Sequence, residues 1–262
     1  MVDVENKYIA SVSFGKDSLA MLLLILDSGQ PLDEVVFFNT GMEFQAIYDI
    51  RDKVKQMLSD KHIPYTELNP PRPFLYDMLF RMKTKRDGSI AYGDGWCGGA
   101  CRWGTRIKLR VINRYTKGCH VYVGIAADEE TRLTNLESYK SSPIAEAGMT
   151  ELDCLQYCYD RGFYWEENGV RLYDILDRVS CWCCRNKNLK ELRNIYWFLP
   201  DYWNRLCELQ KNISSPMKGD GNSVFDLERR FLFEKEWLDS GKQINTREFY
   251  RVMKNMTKEA RG

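Results

Sequence analysis

Ser11-Val12-Ser13-Phe14-Gly15-Lys16-Asp17-Ser18 is the stretch on which the fold turns. Before it, Tyr8 to Val12 reads as a short buried strand. After it, Leu19 to Leu26 is apolar almost without break and stops at Asp27-Ser28-Gly29-Gln30-Pro31, the pattern of a buried helix closed by a glycine cap and a proline. A strand therefore runs through a tight turn into a helix. The start of a helix presents unpaired backbone N–H groups and the positive end of its dipole, which suits a phosphate. Gly15 permits close backbone approach, Lys16 adds a point charge, and Ser13 and Ser18 add hydroxyls. Asp17 is placed to orient the turn or to help hold Mg²⁺. The Walker pattern GxxxxGK[ST] is absent, and an ordinary strand–turn–helix with polar turn residues would look much the same.

The 262 residues suffice for one sizeable core with an appended subdomain. With 44% hydrophobic and 29% charged residues the composition is that of a soluble globular protein. The net charge of +1 gives no global field for nucleic acid or an anionic membrane, although a local basic patch is left open. No apolar run approaches transmembrane length, and no basic segment followed by an apolar one marks a signal peptide. A cytoplasmic location is expected. Nine cysteines in a reducing compartment suggest metal binding or redox chemistry more than disulfides.

Outward from the turn, Val35 to Phe38 reads as a strand covered on both faces. It leads through Asn39-Thr40-Gly41 to an amphipathic helix over Glu43 to Leu58, and Tyr65 to Leu68 reads as a third strand. This alternation predicts an α/β fold with a doubly wound, mainly parallel sheet, whose ligands bind at the carboxyl ends of the strands. Pro70, Pro71 and Pro73 open an irregular region. A short helix is expected over Phe74 to Met82 and a mobile loop or lid over Lys83 to Gly95. His120 to Ile125 reads as another strand and Glu151 to Tyr159 as a helix. Helices then follow up to Leu209, a linker over Ile213 to Val224, and terminal helices over Phe225 to Leu238 and Thr246 to Met256. The expected division is a nucleotide-binding α/β domain over 1–200 and a helical carboxyl-terminal extension over 201–262. Packing of that extension on the core or on a second subunit of a homodimer is left open.

Cys97 and Cys101 are four apart and share a face if Trp96 to Leu109 is helical. Cys181 and Cys184 form a C-x-x-C, with Cys183 between them as an alternative ligand. Two close pairs supply four thiolates, a set that both zinc and [4Fe–4S] accept. A buried free-thiol cluster or a redox pair would share the pattern. Cys154 and Cys158, four apart on one helix, are a reserve pair, while Cys119 and Cys207 read as core. His62 and His120 sit in no motif. Arg102, Arg106 and Lys108 follow the first cysteine pair and are candidates, with Glu129, for the surroundings of a substrate anion.

The Ser13-to-Ser18 turn resembles the PP-loop, usually written SGGxDS, of the adenine-nucleotide alpha-hydrolase-like superfamily, which includes ATP pyrophosphatases and the phosphoadenylyl- and adenylyl-sulfate reductases. Phe14 stands where that motif has its first glycine. Thr40-Gly41-Met42-Glu43-Phe44 resembles the T-G-x-E-F segment of phosphoadenosine phosphosulfate reductases. Gly124, Glu129 and Arg132 align with a later glycine–glutamate–arginine segment, with Ala126 where its first arginine is expected. Ser141-Ser142-Pro143-Ile144 and Leu172-Tyr173-Asp174 before the cysteines continue the likeness, which spans roughly residues 8 to 185.

The resemblance implies an adenine nucleotide, adenylyl-sulfate or ATP with Mg²⁺, held by Ser11, Ser13, Phe14, Gly15, Lys16, Asp17, Ser18, Asn39, Thr40, Gly41, Glu43, Gly124 and Arg132. It gives Lys16, Asp17 and Ser18 the catalytic roles. In adenylyl-sulfate reductases an adjacent cysteine pair and a later C-x-x-C bind [4Fe–4S], which favours a cluster over zinc here. The expected activity is sulfur chemistry with a thioredoxin-like reductant. That family's reductive cysteine lies in a tail motif resembling E-C-G-x-H, whereas no cysteine follows Cys207 in this sequence. A first alternative is therefore an ATP-dependent sulfurtransferase that adenylates a small molecule or a nucleic acid and draws on a sulfur-donor protein. A second is a non-catalytic nucleotide-binding module stapled by zinc.

Overall fold

The computed structural model describes residues 7–259. In chain order the first elements are β1 (Tyr8–Val12), α1 (Lys16–Ser28), β2 (Glu34–Phe38), α2 (Gln45–Asp60), β3 (Tyr65–Leu68) and α3 (Phe74–Leu79). The hairpin strands β4 (Met82–Thr84) and β5 (Ile90–Tyr92) follow, then a π-helix (Arg102–Ile107) that runs into α4 (Lys108–Tyr115). Next come β6 (His120–Val123), α5 (Glu130–Thr134), β7 (Lys140–Ser141), α6 (Pro143–Glu146), α7 (Glu151–Tyr159), β8 (Glu166–Glu167), β9 (Val170–Arg171) and α8 (Leu172–Ile175). The remaining helices are α9 (Leu189–Phe198), α10 (Pro200–Asn212), α11 (Val224–Asp239) and α12 (Arg247–Glu259). No helix among the described residues is long and apolar enough to cross a membrane.

Contacts divide the chain into two compact units, Met1–Asp77 with Cys97–Cys184, and Met78–Trp96 with Arg185–Gly262. The break falls at Cys184 rather than after residue 200 because α9 packs with α10 and α11. The first unit holds a five-stranded sheet in the order β3-β2-β1-β6-β7, every pair parallel. Ala10 sits between Val35 and Tyr122 in the register. This is the doubly wound arrangement, and its order reverses between β1 and β6. β2 is buried along its whole length, as its unbroken apolar run requires. α1 buries Leu19, Ala20, Met21, Leu22 and Ile25 completely and packs against α7 and α6. It ends as read: Gly29 takes a left-handed φ of 66° and its N–H bonds the carbonyl of Ile25.

Two expectations are corrected. Residues 83–95 form an ordered hairpin rather than a lid. Its turn is closed by Asp87, which accepts from the backbone and hydroxyl of Ser89, and by Gly88 at φ 83°. The stretch around Cys97 and Cys101 is irregular, with Gly99 at φ 60°, and helical structure starts only at Arg102. Residues 213–223 link α10 to α11 as read, and their path is pinned from within. The buried Gln210 side chain donates to the carbonyls of Ile213 and Ser215 and accepts from the N–H groups of Met217 and Val224. The core of the second unit is aromatic, with Trp203 edge-on to both Tyr196 and Phe231.

Phe14 also departs from its expected place. Its backbone is left-handed, with φ 59°, the conformation a glycine would adopt freely. Its ring turns away from the loop's polar face, is fully buried, and meets Phe37 at 5.0 Å and Tyr65 at 6.4 Å between centroids. The left-handed conformation costs about 1–2 kcal/mol, while emptying the site of a buried Phe costs about 3–5 kcal/mol. Burial wins, so Phe14→Gly should destabilise the protein by about 2–3 kcal/mol despite restoring the superfamily's glycine. A urea unfolding midpoint at or above that of the parent would show that strain dominates.

Candidate functional site

The turn from Ser13 to Ser18 lies at the carboxyl end of β1, where the sheet order reverses, the position at which open α/β sheets bind ligands. Ser18 knits it together. Its hydroxyl accepts from the N–H of Ser13 at 3.1 Å, meets the Ser13 hydroxyl at 3.0 Å and donates to the carbonyl of Gly15 at 3.1 Å. Gly15 is the N-cap of α1, so no side chain caps that end. From below, the Trp165 indole donates to the Phe14 carbonyl at 2.7 Å, and the Tyr173 hydroxyl accepts the Lys16 N–H at 2.8 Å. Gly124, just past β6, presses on the same helix start. A Cβ there would lie 2.5 Å from both N and Cα of Ser18. Gly124 thus serves by its lack of a side chain. Ser11 is a ladder residue of β1, opposite Val36 and Val123.

Lys16 is buried, and its ammonium bonds Asp17 and Glu151 at 2.6 Å each. Burial works against its charge, but the two carboxylates outweigh that effect and raise its pKa. Burial raises the pKa of Asp17; Lys16 opposes the shift, and the nearby charges of Glu151 and Glu129 reinforce it. One ammonium therefore faces an excess of carboxylate. Beyond β6, Arg132 bonds both oxygens of Glu129 at 2.6 and 2.7 Å, and Glu129 also accepts from the N–H of Ala126. The Arg132 cation is therefore already paired within its own turn.

At the end of β2, Asn39 bonds Glu67, the N–H of Gly41 and the Tyr48 hydroxyl. Thr40 donates to Glu43 at 2.8 Å and accepts from the N–H of Met42. A cleft of about 290 Å³ opens there, lined among others by Asn39, Thr40, Gly41, Asn69 and Phe74. The cysteine loop docks on this segment. Trp182 donates its backbone N–H to the Met42 carbonyl, and the Cys181 thiol lies 3.8 Å from the Thr40 hydroxyl and 3.9 Å from Glu43. Burial and the charge of Glu43 push the Cys181 pKa well up.

Cys97 accepts the Arg102 N–H at 3.1 Å, and Cys101 accepts the N–H groups of Gly104 and Trp103. The π-helix starts there: the N–H of Arg106 reaches the Cys101 carbonyl five residues back, a geometry common at functional sites. The thiols of Cys101 and Cys97 neighbour one another. Cys183 is buried, Cys184 half-buried. Among the described residues no three or more His, Cys, Asp or Glu side chains are disposed to hold a metal ion. Arg102 and Arg106 are exposed on the π-helix, and Lys108 begins α4. The reserve pair is ordinary core. Cys154 and Cys158 are buried at α7, Cys158 against the Lys16 carbonyl, and burial pushes the Cys154 thiol up to about 12.

Residues 7–71 match the phosphoadenosine phosphosulfate reductase domain. The matching family model is the one that the turn resembles, and it covers residues 7–71 of the 262. The match runs from β1 through β3 and includes both the Ser13–Ser18 turn and the Asn39–Glu43 segment. An uncharacterized protein of Methanocaldococcus jannaschii is 24% identical over 217 residues, covering 77% of this chain. The chain spans 41% of that relative's length.

Glu151, Trp165 and Tyr173 escaped the sequence reading as site residues. Each is more than 130 residues from its partner in the loop, and no local pattern signals such a contact.

The raised pKa of Asp17 gives a test. The native carboxyl holds its proton more tightly than the unfolded one, whose pKa is near 3.8. Its contribution to stability is greatest below that value and falls as pH rises through the raised native pKa. Asp17→Asn cannot titrate. Its unfolding free energy should therefore decline less than the parent's as pH rises from about 4 toward neutrality. Parallel profiles from chemical denaturation would refute a perturbed Asp17.

Proposed function

We infer that the phosphoadenosine phosphosulfate reductase domain binds ATP with Mg²⁺ through the Ser13–Ser18 turn and transfers its adenylyl group to an acceptor, releasing pyrophosphate, in preparation for sulfur transfer. The carboxylate excess around Lys16 carries this reading. A bare sulfonucleotide needs cations. Here Lys16 is paired with both Asp17 and Glu151, while Arg132 is taken by Glu129 and Ala126 supplies no charge. A divalent cation reverses that balance, and Mg²⁺ typically takes one or two carboxylates plus substrate phosphates. Gly15, the first turn of α1, and the Ser13 and Ser18 hydroxyls then face the phosphates, where developing charge on the leaving pyrophosphate is stabilised.

The anaerobically purified protein should release pyrophosphate from Mg-ATP and adenylylate its acceptor when that is supplied, with AMP released only once a sulfur donor displaces it. Lys16→Ala should lower that rate by about a hundredfold. Sulfite and an adenosine phosphate from a sulfonucleotide with thioredoxin, without pyrophosphate from ATP, would overturn this reading. They would establish sulfonucleotide reduction, the second reading, which the family match favours. Tight nucleotide binding without turnover of either substrate would leave a binding module.

The same proposal assigns Cys97, Cys101, Cys181 and Cys184, with Cys183 the alternative to Cys184, to a [4Fe–4S] cluster, zinc being the other metal that the donor set accepts. Its support is the donor set itself and the backbone N–H groups aimed at Cys97 and Cys101. About four irons and four sulfides per chain are expected, lost in Cys181→Ser. One zinc without sulfide would overturn the cluster.

A further inference from the structure

The near-zero charge of the whole chain conceals a segregation. The unit made of residues 78–96 and 185–262 contains 20 Lys and Arg against 13 Asp and Glu, a net +7. The remaining residues contain 18 against 24, a net −6, and the two sum to the chain's +1. The basic unit also displays the largest exposed apolar side chains of the hairpin. Met82 pairs with Tyr92 and Thr84 with Ile90, so these four project from one face. Met82, Ile90 and Tyr92 are 62%, 59% and 69% exposed, and Phe80 just before them is 61% exposed.

The opposite face is engaged by Asp94, which holds Arg81 and Lys83. The turn presents Lys85 and Arg86, both exposed. The hairpin is a built element. Gly93 donates to the Arg81 carbonyl and Gly95 to that of Met78, and a Cβ on Gly93 would stand 2.4 Å from the Met78 carbonyl oxygen. An ordered two-stranded ribbon that leaves Met82, Ile90 and Tyr92 largely in water is costly unless something covers them.

We propose that this hairpin face is a docking site for single-stranded nucleic acid, its phosphates drawn by the basic unit and its unpaired bases stacked on Tyr92 and Phe80. The chemistry is that of stacking platforms set in a positive field. Charge decides the occupant. An acidic protein would find the basic residues but would leave the apolar platform without flat partners. A second copy of the hairpin would bring like charges together. As the acceptor for adenylyl transfer, the nucleic acid rests on the reading above; binding to it does not.

The test uses the full chain and fluorescein-labelled strands of roughly 20 nucleotides, RNA and DNA, single-stranded and duplex, followed by anisotropy at about 50 and about 200 mM salt. Saturable binding of a single strand is expected, weaker at the higher salt and preferred over the duplex. Tyr92→Ala and the double variant Lys85→Glu with Arg86→Glu should each weaken it by about tenfold while leaving ATP binding unchanged. RNA against DNA separates the two sources of the same chemistry. Absence of saturable binding at the lower salt, equal affinity for duplex, unchanged affinity in both variants, or binding only to vesicles of anionic lipid would each overturn the proposal. Both variants lie on exposed positions of the hairpin, and retained ATP binding verifies their folding. Failure of ATP turnover with retained strand binding would sink the adenylation reading and leave this one standing.

Discussion

The close approach of Gly124 to the backbone of Ser18 is the constraint on which the rest of the first unit depends. A sheet whose order reverses between β1 and β6 leaves a crevice there, and the start of α1 fills one side of it. With no side chain on Gly124, the chain leaving β6 touches the first turn of α1 and fixes where its N–H groups point. The buried run from Leu19 to Ile25 then holds the helix against α6 and α7. Through α7 that packing brings Glu151 to Lys16. Geometry of the sheet, packing of the helix and charge at the site thus meet at one contact.

Phe14 shows how such a site tolerates strain. A bulky residue at positive φ is uncommon, and such strain persists only when the surroundings over-determine the conformation. Here they do: the ring is locked against Phe37, the carbonyl is held by Trp165, and the next residue but one is held by Tyr173. The superfamily's glycine makes the turn easy to form. This chain makes the same turn by burying a phenyl ring under it, so the loop is stiffened by the core rather than by its own composition.

The legible parts of the molecule were those whose signal is local. The strands β1 and β3, the helix α7 and the glycine cap of α1 can be read because apolar runs, spacing and caps lie in one short window. The hairpin was not legible: its outward face carries Met82, Ile90 and Tyr92, whereas its turn is polar and glycine-containing like that of a mobile loop. Cys97 and Cys101 have helical spacing, but Gly98 and Gly99 lie between them and favour the irregular path observed. Glu151, Trp165 and Tyr173 belong to the site through tertiary contacts that no spacing encodes.

The net charge of +1 is the sum over two units of opposite sign. A value near zero argues against polyanion binding only when charge is mixed throughout the chain, and here it is sorted by compact unit. Sorting has a physical cost, since each unit repels itself. The two ends of the proposed reaction ask for opposite surroundings. A site that recruits a divalent cation to a nucleotide gains from surplus carboxylate, as around Lys16, whereas a surface that receives a phosphodiester chain gains from surplus ammonium and guanidinium. Placing both on one evenly mixed surface would weaken each, because carboxylates beside the phosphates repel the acceptor and cations beside the carboxylates displace the metal. Sorting the charge, +7 in one unit against −6 in the rest, lessens that conflict within each unit.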